Sequence, residues 1–90
     1  MNIDNTEICG FIKESLQLIK DKQYHEAVAS LEETRHHLPD TEDKYEASDV
    51  INVVIGLIGK KDIPGALHVM QSVIAKVGGC EGLRPWEYQP

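Results

Sequence analysis

The side chains of this chain best suited to chemistry are four histidines and two cysteines: His25, His36, His37, His68, Cys9 and Cys80. A metal or acid–base site needs several such groups to converge. His36 and His37 are adjacent, so on a helix they point about 100° apart and do not simply share a metal. Cys9 and Cys80 belong to no CxxC or Cys/His spacing, and the expectation is two free thiols rather than a disulfide framework. Gly56, Gly59 and Gly65 form neither a dinucleotide fingerprint nor a P-loop, since no Lys-Ser/Thr pair follows them. No Ser or Cys carries a local signature of an activated nucleophile. The reading is of surface histidines, no metal, no cofactor and no enzymatic activity.

Binding chemistry remains. On a helix, His25, Glu26, Ala29, Glu32, Glu33 and His36 face outward, opposite an apolar stripe. Near the C-terminus stand Leu83, Trp86 and Tyr88, of which the aromatics belong to residue types enriched at interface hot spots. Glu26, Glu32, Glu33, His36, Leu83, Trp86 and Tyr88 are therefore the candidate protein-binding residues. Each group also has a plain role, the carboxylates as a solvated face and Trp86 as a cover for the end of the fold.

Charge narrows the class of partner. The net charge is −6, and residues 1–49 hold twelve Asp/Glu against five Lys/Arg. Nucleic acid and anionic membranes are disfavoured, because phosphate surfaces require clustered Lys and Arg. Met1-Asn2-Ile3-Asp4 lacks the basic start and apolar core of a signal peptide, and no apolar run approaches the ~18 residues that span a bilayer. The expectation is a cytoplasmic protein with another protein as its partner, and neither nucleic acid nor membrane.

These residues must be positioned by helices. Asp4 and Glu7 resemble a capping box, and Ile8, Ile12, Leu16 and Ile19 recur at helical spacing, which predicts a helix near 5–20. Tyr24, Ala27, Val28, Leu31 and Leu38 predict a second that ends before Pro39. Asp40-Thr41-Glu42-Asp43 offers a cap for a third over 42–59. Its centre, residues 50–58, is apolar and β-branched enough to read as a buried strand, but no second strand exists to pair with it, so a helix is expected. Asp62 and Pro64 start a fourth helix, and Gly78-Gly79 ends it.

Shifted by 39 residues, the chain matches itself: Ile12 meets Ile51, Leu18-Ile19 meets Leu57-Ile58, Lys22 meets Lys61, Ala27 meets Ala66 and Leu31 meets Met70. Lys22-Gln23-Tyr24-His25-Glu26-Ala27 with Leu31 and Pro39 resembles the second half of a tetratricopeptide unit. Tyr24 stands at the family's aromatic helix start, Ala27 at its small crossing residue, Leu31 at its large residue, Pro39 at its close and Phe11 at its first-helix aromatic. The second half keeps Ala66 and Met70, has Ile63 and Gly78 in place of the aromatic and the proline, and its offset exceeds the family's unit by five residues.

The expected fold is all-α: four helices as two antiparallel hairpins, tetratricopeptide-like or a small four-helix bundle. A single domain over 1–79 is followed by an extended tail, 80–90, which either packs back or stays free. Ala27 and Ala66 are expected at helix crossings. The near-continuous apolar third helix predicts leftover apolar surface and a homo- or hetero-oligomer. What the resemblance and composition imply is a small acidic adaptor or co-chaperone, or alternatively an acidic inhibitor of the immunity-protein or phage-encoded kind, covering a basic site on its target.

Overall fold

A computed structural model describes residues 6–38, 42 and 44–90. Four helices follow in order: α1 (Thr6–Lys20), α2 (Tyr24–His36), α3 (Lys44–Gly59) and α4 (Ile63–Lys76), then a one-turn 3₁₀ helix, η1 (Pro85–Tyr88). The expected caps at Asp4 and at 40–43, and the stop at Pro39, involve residues outside those described. Residues 50–58 are helical, with Ile51, Val54 and Ile58 buried as one stripe. That 3.6-residue spacing, with all backbone bonding internal to the helix, settles the ambiguity of a β-branched segment.

The two hairpins repeat one another in detail. Lys22 and Lys61 both take a left-handed conformation, at φ 62° and 63°. Behind each lies the same pair of bonds: Lys22 N–H to Ile19 O at 3.0 Å and Gln23 N–H to Leu18 O at 2.8 Å, then Lys61 N–H to Ile58 O and Asp62 N–H to Leu57 O, both 2.9 Å. This is the doubly bonded helix end in which a left-handed residue satisfies the last free carbonyls. Burial repeats with the same shift, since Ile12 and Ile51, Ser15 and Val54, Ala27 and Ala66, Leu31 and Met70, and Thr34 and Val73 are all fully buried. Asp62 caps α4 by accepting the Gly65 N–H at 3.2 Å. Gly78 and Gly79, at φ 95° and 89°, end it.

α1 packs on α2 and α3 on α4, α2 meets α3 less extensively, and α4 returns to α1. The order is that of an up-and-down helical array around one core. Arg35 on α2 donates to Asn52 Oδ1 on α3. On the other hairpin the Lys76 ammonium lies 2.6 Å from Glu46 Oε2, and that bond holds the Glu46 carboxyl below the usual carboxylate range.

Two expectations need correction at the C-terminal end. Cys9 and Cys80 are not free thiols but a disulfide, with Cα atoms 5.7 Å apart. The tail is not extended either: η1 packs on α4 and α1, with Pro85 buried and Leu83 and Tyr88 against the core. Both follow from connectivity. An even number of antiparallel helices brings the start of α1 and the end of α4 to the same end of the fold, beside the residues that follow.

Candidate functional site

A groove of about 450 Å³ runs along the α1/α2 hairpin. From α1 it takes Phe11, Glu14 and Leu18, one stripe at i, i+3 and i+7. From α2 it takes Glu26, Ala29, Ser30 and Glu33, at matching spacing. Beneath it the helices are tied by small polar side chains: Ser15 Oγ donates to Phe11 O at 3.0 Å and lies 2.7 Å from Ser30 Oγ, so the Ser30 hydroxyl donates to Ser15. Thr34 Oγ1 donates to Ser30 O at 2.8 Å. Every buried side-chain polar atom among the described residues has a partner. The floor is therefore close-packed and fully bonded, and the groove lies above it.

The walls are of two chemistries. Phe11, Leu18 and Ala29 supply apolar surface, and Phe11 stacks on His37 with ring centroids 4.8 Å apart. Glu14, Glu26 and Glu33 bring three carboxylates and no lysine or arginine lines the groove. Glu33 has His37 Nδ1 at 3.8 Å, whereas among the described residues Glu14 and Glu26 have no cationic partner. Such a surface matches a ligand that is apolar on one side and basic along its flanks.

The seven candidate residues divide between separate places. Glu26 and Glu33 line the groove. Glu32 and His36 are exposed on α2, with Glu32 turned about 100° from Glu33 and so pointing away from it. Leu83 and Tyr88 line a second cleft, about 210 Å³, formed with Cys9, Gly10, Lys13, Cys80, Glu81 and Gly82. Trp86 is 59% exposed and lines neither. His25 and His68 are also exposed, and no group of three or more metal-binding side chains gathers among the described residues.

The sequence does not mark Phe11, Glu14 and Leu18 as groove-lining, because the periodicity of one helix does not show what lies against it. The signal was the shared spacing, a Phe-Glu-Leu stripe on α1 opposite a Glu-Ala-Glu stripe on α2. The second cleft depends on the disulfide and has no periodic signature at all.

No described helix is long and apolar enough to cross a membrane. Comparison with protein-family models, with curated proteins and with solved structures found no match.

Proposed function

We propose that this chain is a protein-binding adaptor or co-chaperone whose α1/α2 groove receives an amphipathic helix with basic flanks. The observation that carries the reading is the groove's composition, an apolar strip between three carboxylates, of which Glu14 and Glu26 have no cationic partner among the described residues. The apolar strip supplies affinity and the rim selects against acidic ligands. Matching hairpin turns and the small Ala27 and Ala66 support the tetratricopeptide-like likeness. Return of α4 to α1 supports binding on an outer face rather than in a solenoid's concave groove. If the protein self-associates, Tyr45 and Val53 of α3, 80% and 52% exposed, are available for that contact beside Trp86.

The inhibitor reading draws support from the same carboxylates together with exposed Glu32, and it differs in needing little from Phe11 and Leu18. On compartment, the disulfide supports oxidising surroundings as it stands. A cytoplasmic protein would need the bridge to exchange with cellular thiols.

Two synthetic helical peptides with the same leucine face, one flanked by lysine and one by glutamate, test the proposal by calorimetry. The lysine peptide should bind and the glutamate peptide should not. Exchange of Glu26 and Glu33 for lysine should weaken binding about tenfold, with Trp86→Ala without effect. Equal binding of both peptides would sink the groove reading. Loss of binding in Trp86→Ala would move the site to the tail. Binding abolished by moderate salt yet indifferent to Phe11→Ala would favour the inhibitor reading.

A further inference from the structure

The second cleft is walled partly by the Cys9–Cys80 bond. We propose that the Cys9–Cys80 disulfide is a thiol–disulfide exchange site, open in the folded protein to a small thiol such as glutathione. Both cysteines are partly exposed and both line the cleft. The cleft is open beside Gly10, next to Cys9, where a Cβ would meet nothing within 4 Å. Gly10 has no positive φ to demand a glycine, and a glycine inside a helix costs about 1 kcal/mol relative to alanine. Neither packing nor backbone conformation requires a glycine there, so larger side chains at this position can be used to narrow the opening.

Lys13 gives the site a direction. It lies one turn beyond Cys9 on the same face of α1 and also lines the cleft. A cation beside a thiolate stabilises it, and the sulfur that leaves more readily is the one with the better stabilised thiolate. Attack therefore falls on Cys80, beside Glu81, and expels Cys9. The incoming thiolate forms a bond to Cys80 Sγ, the Cys9–Cys80 bond breaks, and its electron pair leaves on Cys9 Sγ, which takes a proton from water. A second thiolate attacks the small-thiol sulfur of this mixed disulfide and releases Cys80 as a thiolate, which is protonated in turn. The protein gains two electrons and two protons, and two thiols leave as one small disulfide.

The bridge is the covalent tie between α1 and the segment that carries Leu83, Pro85 and Tyr88. Exchange makes that tie reversible, and it reconciles a bridged protein with a thiol-rich compartment.

Native protein without denaturant is mixed with reduced glutathione, and acid-quenched samples are weighed by mass spectrometry. The rate of bridge loss should rise in proportion to thiol concentration, with glutathione caught on Cys80, and oxidised glutathione should restore the bridge. Gly10→Leu fills the cleft, whereas Gly10→Ala improves the helix by a like amount without filling it. The leucine variant should react roughly tenfold more slowly than the alanine variant, because access limits exchange. Lys13→Gln should slow the reaction about threefold, as expected of one charge a helical turn away. A rate independent of thiol concentration would mean that the bridge is reached only after unfolding and would overturn the proposal. Equal rates in the two Gly10 variants, glutathione caught on Cys9 alone, or a protein that stays a dithiol in oxidised glutathione would overturn it as well.

Discussion

Lys22 and Lys61 sit where glycine is the usual occupant, at φ 62° and 63° just past a helix end. A residue with a Cβ is about 1 kcal/mol or more worse off in that region. Lys22→Gly and Lys61→Gly should each raise stability by about 0.5–1 kcal/mol in urea titration, after the glycine's extra unfolded-state freedom is deducted. A loss of stability would mean that the lysine side chains themselves hold the turns. The equivalence of Lys22 and Lys61 was legible in the 39-residue shift, but their backbone state was not, since lysine carries no left-handed preference. Gly78-Gly79 could be read as a stop for the opposite reason. The disulfide escaped at this scale because Cys9 and Cys80 are 71 residues apart, and only tertiary structure gives that separation a meaning.

At the scale of the helices, the apolar stripes were legible because each is set by the 3.6-residue period alone. Which stripe meets which was less so. Ala27 and Ala66 are fully buried, as the repeat required. Replacing either with leucine should overpack its hairpin and cost roughly 1–3 kcal/mol by chemical denaturation, with both substitutions together close to additive because the sites belong to different hairpins. If both variants unfold with the parent, the crossings lie elsewhere. α3 divides its apolar run: Ala47, Ile51, Val54 and Ile58 are buried, Val50, Ile55 and Leu57 pack beside them, and Tyr45 and Val53 are left exposed. The α1/α2 groove was half legible for a related reason. Glu26 and Glu33 stand out on their own helix, whereas Phe11, Glu14 and Leu18 become a wall only once α2 lies alongside.

For the molecule as a whole, closure was the part that no local pattern could announce. Return of α4 to α1 and the docking of η1 depend on four helix lengths and three turns acting together. The Cys9–Cys80 bond then gives the fold an unusual response to mechanical load. Tension applied at the two chain ends passes from Cys9 to Cys80 through the covalent bond, so the α2, α3 and α4 helices are shunted out of the load path while the bond lasts. In an optical trap the oxidised protein should yield only its short terminal segments. On reduction, the sequestered chain of 71 residue steps should be released as about 240 Å of additional contour length. A full-length extension of the oxidised protein would show that the bridge does not close the loop.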